Sequence, residues 1–562
     1  MRHTKRILAL LLCLALALSL AACSTGGKSQ TASASQSAAG SAQDILNPVG
    51  TYPIVKEPIE LRVFTISAPN VEDLATNDFT KYLEQKTGVK LTFETATRDN
   101  WEEKLNLVLS TNDYPDIVMW FEPDMAKYGV KEGIFIQLDD LIKDNMPNYT
   151  KMIGDNLSVT RQTDGHIYSV GSINDCYHCM YAKKMWVNTM WLDKLGMKAP
   201  TTTEEFYQVC KKFMEVNPNG IAVGGTAPGA GWHSTFEEWL LNSYILSPNT
   251  SQSFRDWSEV DGSGKIFSAA TTDGYREGLK YIKSLYDIGA IYEGDFTQTE
   301  EQLKTLVNQP DEPVLFLPTG TISNHIDADA NHELYSHYSV IAPLKGPEGV
   351  QNATFMKYSG VSSGGFAITD KCKYPEAALR WADYFYTTEG SLSAQFGADA
   401  GKDWVLNPAG KVGLNGEPAL YEVLNQYSGE AQNHDWQDVS IAARPAYFRL
   451  GEAVDPNVDI TTSAGLEYLL YSSSKEKMEP YAQDPTKNDV LPELKLTEEE
   501  VSKIQTIGVE VEKYIAESRV AFITGQKSLD TDWDAYLKDL EKMGLSTLLG
   551  VYQTAYDRQV SK

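Results

Sequence analysis

Three clusters in this 562-residue chain have residue types and spacings that could do chemistry. Gly360-Val-Ser362-Ser-Gly364 matches G-x-S-x-G, in which a strand-to-helix elbow exposes a serine nucleophile. An elbow needs a helix after the serine, then an acid and a histidine downstream. Here Gly365-Phe-Ala-Ile-Thr369 reads as strand, and His434 is the one histidine beyond it. A Gly/Ser-rich turn or hinge is the better reading. His332 and His337, with Glu333 between them, resemble a zincin helix, but zinc binding needs histidines at i and i+4, and at i+5 they diverge. Cys176-Tyr-His-Cys179 is a C-x-x-C. Redox catalysis would want a thioredoxin-like context, and a zinc site would want a second pair, whereas Cys210 and Cys372 stand alone. A structural disulfide or buried thiols fits best. Paired carboxylates carry no signal among 76 acidic residues, and neither a P-loop nor a complete dinucleotide fingerprint occurs. These residues point to binding rather than catalysis, with no cofactor and no bound metal. Glycosidase carboxylates leave no local motif, so a surface polysaccharide lyase or glycoside hydrolase stands as the alternative. A lipoprotein that presents a protein partner is the third reading.

Cys23 says where the work is done. Arg2, Lys5 and Arg6 precede an apolar run from Ile7 to Leu20, and Leu20-Ala21-Ala22-Cys23 follows. That is a secretory signal rather than a structural helix, and it is too short to span a bilayer comfortably. A cysteine at the cleavage point is the signature of a bacterial lipoprotein, so Cys23 is expected to take a lipid and become the N-terminus. The expected location is the outer face of the cytoplasmic membrane, in a cell without an outer membrane. The lipid is the only expected membrane attachment.

The formal charge of −27 becomes more negative once the basic leader is removed. Such a surface repels nucleic acid and anionic headgroups, so neither is an expected partner. Residues 24–42, rich in Ser, Ala, Gly and Gln, cannot bury enough apolar surface to fold and read as a tether.

Strand and helix signals alternate from Tyr52 onward. Ile59, Leu61 and Val63 alternate with polar residues, and Asn77 caps a helix that ends at Gly88. Val89, Leu91 and Phe93 form a second strand, Trp101–Ser110 a second helix, and Asp116–Trp120 a third strand. This β-α-β-α-β order predicts a parallel sheet, with ligand beyond its carboxyl ends and the loops after Ser67 and Trp120 nearest to it. Helices are expected over 201–214, 275–288 and 375–386, and two more over 529–557.

Several stretches resemble the extracellular solute-binding proteins of bacterial ABC transporters, in particular the large putative aldouronate- and alginate-oligosaccharide-binding lipoproteins. They are Tyr114-Pro-Asp-Ile-Val-Met-Trp120, Trp186-Val-Asn-Thr-Met-Trp-Leu-Asp-Lys-Leu-Gly196, Pro200-Thr-Thr-Thr-Glu-Glu-Phe206, Ile341-Ala-Pro-Leu-Lys-Gly-Pro347, Pro375-Glu-Ala-Ala-Leu-Arg-Trp-Ala-Asp383, and Phe522-Ile-Thr-Gly525 with Asp532-Trp533. The resemblance implies a two-lobed α/β fold of the periplasmic-binding-protein type, with ligand in the cleft between lobes and closure by a hinge. It implies a signal over 1–22 and an anchor and tether over 23–51. Lobe 1 would span 52–185 and about 366–430, and lobe 2 would span 186–365 and about 431–562. Chain crossings are expected near Trp186 and near Gly360–Phe366. The implied ligand is an oligosaccharide, neutral or uronic-acid-containing, handed by a monomer to the transmembrane subunits of an ABC permease. Some relatives carry a calcium loop after the helix that follows Pro200. Asn217-Pro-Asn219-Gly220 here lacks the acids, so that site is expected to be lost.

Sugars offer C–H faces to aromatic rings and hydroxyls to amides and carboxylates. By position, the candidate ligand contacts are Trp120 at a strand end, Trp232 in a Gly-rich loop, Tyr358 before the second crossing, and Trp404 and Trp436 in polar stretches. Arg444 is the candidate clamp for a carboxylate or hydroxyl. Trp191, Trp381 and Trp533 sit in helical apolar patterns and read as core.

Overall fold

The computed structural model describes residues 45–560 apart from 69, 98–99, 248–256, 356–359, 426–430, 442 and 456. In chain order its principal elements are β1 (Ile59–Ile66), α1 (Asp78–Thr87), β2 (Val89–Ala96), α2 (Trp101–Ser110), β3 (Ile117–Met119), β4 (Ser169–Asn174), β5 (Met185–Asn188), α3 (Thr203–Val216), β6 (Ile221–Val223), α4 (Asp273–Asp287), β7 (Val314–Pro318), β8 (Tyr338–Ile341), β9 (Val361–Ile368), α5 (Pro375–Asp383), β10 (Ala443–Arg444), α6 (Glu498–Ile523), α7 (Trp533–Met543) and α8 (Leu545–Val560).

Local chemistry sets the first elements. The Asn77 side chain accepts from the Phe79 N–H, and Gly88, at φ 75°, ends α1. β2 then pairs in parallel with β1, from Ile59 opposite Val89 to Ile66 opposite Ala96. Thr202 and Glu205 form a reciprocal capping box on α3. Trp191, Trp381 and Trp533 are buried, as their helical spacing predicts.

Two sheets organise the body, each the floor of one lobe. The first has the order β10-β4-β9-β3-β1-β2 and the second β8-β5-β7-β6. In the first, β9 runs against the other five strands, so the carboxyl ends of β1, β2, β3, β4 and β10 share one edge. In the second, β5 runs against the others, so the carboxyl ends of β6, β7 and β8 share an edge with the start of β5.

The chain passes between these two edges three times, over 175–184, 342–360 and 445–465. The third passage is not anticipated from sequence. Ala443–Arg444 lies in the first sheet beside Ile173 and Asn174, while Leu470 packs in the second lobe's core with Trp186 and Leu317. Residues expected in lobe 2 therefore sit on lobe 1 up to Arg444. Gln432, for example, donates its N–H to the Asn70 carbonyl at 3.1 Å. At the other end, Asn47, placed in the tether by sequence, is held by Arg380, whose guanidinium donates to its carbonyl at 2.6 Å.

The second lobe's core encloses carboxylates. Glu259 is 1% exposed, and its Oε1 has no hydrogen-bond partner among the described residues. Burial pushes its carboxyl from the ordinary 4.5 to about 8, against the opposing pull of Asn488 and Lys183. Between those two values the folded state holds a proton that the unfolded state has released, so stability falls as pH rises from 4.5 to 8. Glu259→Gln removes this slope. The variant should melt with the parent at pH 5 and above it at pH 8.5, as read by thermal denaturation followed by circular dichroism.

Candidate functional site

The carboxyl edges, where the three passages converge, hold the polar and aromatic groups that could meet a ligand. Trp120 follows β3 directly. Its backbone is left-handed, at φ 72°, and its N–H donates to the Gly365 carbonyl at 2.7 Å. A bulky residue in that region is strained and is held there by its surroundings. The half-buried indole stands edge-on to Phe121 at 5.4 Å, and Phe121 in turn stacks on Trp101 at 4.8 Å.

Beside Trp120 the Gly/Ser run forms β9. Ser362 lies within the strand, its Oγ 2.9 Å from that of Ser172 on β4, so it is not at an elbow. Glycine is required at 364 by close packing, since a Cβ there would meet the Glu122 side chain at 2.8 Å. Glu122 thus stands two residues from Trp120, over Gly364 within β9.

The first passage carries the C-x-x-C. Cys176 and Cys179 form a disulfide around a short helix, Tyr177–Met180. Asp175 donates its N–H to the Arg444 carbonyl at 2.9 Å. Arg449, just past β10, donates to Asn174 Oδ1 and to Cys176 Sγ, both at 3.3 Å. Burial, with Lys184 and Arg449 adding to it, pushes the His178 imidazole well below its ordinary value, so the ring is neutral. Nearby, burial and the proximity of Glu467 raise Glu452 to about 7, against Arg449 and Arg444.

Trp232 comes from the second lobe, in the loop after β6. Its carbonyl accepts from the Gly320 N–H at 3.0 Å, just beyond the end of β7. The half-buried ring meets His178 of the first passage edge-on at 6.3 Å. A Cβ on Gly320 would fall 2.3 Å from Trp232 Cε3, so this indole fills space that any other residue at 320 would take. Behind the loop, Glu238 joins His233 at 3.5 Å and Lys183 at 3.6 Å, tying it to the end of the first passage.

Of the residues expected from sequence, Trp120 and Arg444 lie on the first edge and Trp232 on the second. Tyr358 and Cys23 lie outside the described residues. Two expectations are corrected. Trp436 is 0% exposed, edge-on to Phe79 at 5.4 Å and stacked on Phe385 at 5.8 Å, with Nε1 donating to Thr80 at 2.8 Å. Trp404 is buried with Leu392, Tyr421 and Phe448, its Nε1 donating to the Gly397 carbonyl at 2.9 Å. Both rings are core. Glu122, His178, Arg449 and Glu467 are missed by the sequence reading, although Glu122 and His178 each follow a strand end by a few residues, which is a usable signal. A cavity of about 380 Å³ lies near Asp403 and His434, but none of its lining residues belongs to a passage or to the second lobe.

Comparison with known proteins agrees with this architecture. Residues 68–392 match the model of the bacterial extracellular solute-binding protein family. The chain is 26% identical over 532 residues to the fructooligosaccharide ABC transporter substrate-binding protein FusA of Streptococcus pneumoniae, covering 90% of this chain and 92% of that one. It is 25% identical over 294 residues to lipoprotein LipO of Bacillus subtilis, covering 50% and 55%. The solved structure of FusA in complex with kestose superposes with a TM-score of 0.72 at 25% identity, covering 90% of this chain and all of that one. The two-sheet body, its paired carboxyl edges and the family match over most of both lobes place this chain among the bacterial extracellular solute-binding proteins.

Proposed function

We propose that this protein captures a neutral oligosaccharide outside the cell and delivers it to an ABC permease. One arrangement carries the reading. A half-buried indole stands at each carboxyl edge, Trp120 on one lobe and Trp232 on the other, with polar groups of the passages beside them. Two aromatic platforms suit the C–H faces of successive sugar rings, and Glu122 and Asp175 suit hydroxyl donors. A ligand touching both lobes favours the closed state by the difference in its contacts, without any chemical step. Arg449 already serves Asn174 and Cys176, and acids stand near the passages, which favours a neutral sugar over a uronate. The fructooligosaccharide specificity in FusA's name points the same way. Lipidation at Cys23 and a monomeric state complete the proposal. The anchor keeps the receptor near its permease at high effective concentration.

Calorimetric titration with kestose and with trigalacturonate tests the reading. Saturable one-to-one binding of kestose is expected, with a shift in tryptophan fluorescence. Binding of trigalacturonate alone would reverse the neutral assignment. Turnover of either sugar would replace binding with catalysis.

A further inference from the structure

The C-x-x-C has more donors around it than a structural staple needs. Cys176 Sγ, a His178 ring nitrogen and Cys179 Sγ all lie within 4.8 Å of one another. A fourth donor arrives from outside the motif. The Glu467 carboxylate, on the helix Leu466–Ser473 beyond the third passage, stands 3.9 Å from His178 Nε2. Two sulfurs, one imidazole and one carboxylate supply the donor types of a tetrahedral zinc set, whose ligand atoms sit about 3.3–3.8 Å apart given zinc–ligand bonds of about 2.0–2.3 Å. Glu467 lies outside the 4.8 Å cluster and would swing in from beside His178 to complete it. Thiolates select zinc over calcium or magnesium. The disulfide joins residues only three apart, so it closes a minimal loop and gains little from chain entropy. A bond whose contribution to the fold is that small can open without dismantling it.

We infer that Cys176, His178, Cys179 and Glu467 form a redox-gated zinc site, closed as the disulfide and competent when the two sulfurs are reduced. The electrons come from a dithiol reductant. One of its thiolates attacks the half-buried Cys179 Sγ, the S–S bond breaks, and Cys176 leaves as a thiolate facing the Arg449 guanidinium at 3.3 Å. A cation beside the leaving sulfur speeds that step. The second thiol of the reductant then attacks the mixed disulfide and releases Cys179, leaving the reductant as a disulfide. Zinc takes both sulfurs as thiolates, and any protons they still carry go to solvent. The bound ion would link the first passage to the chain beyond the third, across the hinge. The site borders the proposed sugar cleft through the contact of His178 with Trp232, but it does not depend on which ligand the cleft takes.

The experiment uses the full chain, reduced, freed of reductant without air, and titrated with cobalt(II) and then zinc. The reduced protein should give a thiolate-to-cobalt charge-transfer band and tetrahedral visible bands, which one equivalent of zinc abolishes. The oxidised protein and the isosteric C176S/C179S variant should give neither. His178→Ala and Glu467→Gln should each weaken zinc binding by more than about tenfold, the loss typical of even an outer-shell partner. A folded, reduced protein that shows no charge-transfer band, or binds zinc no better than C176S/C179S, overturns the inference. So does loss of native circular dichroism on reduction that zinc does not restore, because a site that cannot survive reduction cannot be gated by it.

Discussion

Trp232→Ala should weaken oligosaccharide binding by about 2–3 kcal/mol, roughly 30- to 150-fold in Kd, with little change in melting temperature. The indole is half-buried in a loop rather than in a core, so its removal leaves no large internal cavity. What it removes is the proposed aromatic platform of the second lobe. The loss should appear mainly as faster dissociation, because a ligand held by one lobe no longer favours closure. Gly320→Ala gives an independent route to the same outcome. Its Cβ would lie 2.3 Å from Trp232 Cε3, so the ring must leave its place although it is still present. Calorimetry with kestose on both variants checks the pair. Unchanged affinity in Trp232→Ala would remove this ring from the site.

Trp436→Ala should have the opposite profile. Four aromatic rings lie within 6.1 Å of its centroid, those of Phe79, Phe93, Phe385 and Trp381, and its Nε1 is bonded to Thr80. Truncating a buried tryptophan costs about 3–5 kcal/mol, from lost transfer energy and the cavity left behind. The Thr80 hydroxyl also loses its donor. A marked fall in the denaturation midpoint is expected, with sugar affinity retained wherever the variant is still folded. A variant of native stability with lost affinity would return Trp436 to the cleft.

The contrast between these tryptophans shows what sequence can convey. Trp232 stands in a Gly-rich loop and Trp436 in a polar stretch, and neither composition marks a buried ring. Long-range partners decide which one is core. The Asn77 side chain donates to the Asp435 carbonyl at 2.8 Å, and the Asp78 N–H donates to the Asn433 carbonyl at 3.0 Å, across more than 350 residues. Those bonds clamp 432–437 onto α1 and drive Trp436 inward. By contrast, β1, α1, β2, α2 and β3 are legible because caps and alternation act within a few residues. β10 is not legible, because a two-residue strand has no periodicity to detect, and the third passage was lost with it. The 26-residue α6 is also not anticipated. Its buried Ile504, Val511 and Phe522 are interleaved with exposed Val501 and Val509, which blurs the stripe. Trp120 and Trp232 do lie at the carboxyl edges, where a strand end and a Gly-rich loop in the sequence place them. The acids and cations around them come from three separate segments that only the fold assembles.

The triple passage also governs how such a chain can be made. The first sheet opens at Ile59 but is complete only with Arg444, and by then the second sheet, closed at Ile341, already exists. The second lobe's core in turn waits for α6, α7 and α8, out to Tyr552. Neither lobe is a contiguous stretch, and the first sheet is completed only after the second sheet has been made. Their maturation is interlocked: a truncation before Arg444 leaves both halves unfinished, and one between Arg444 and α6 leaves the second without its core helices.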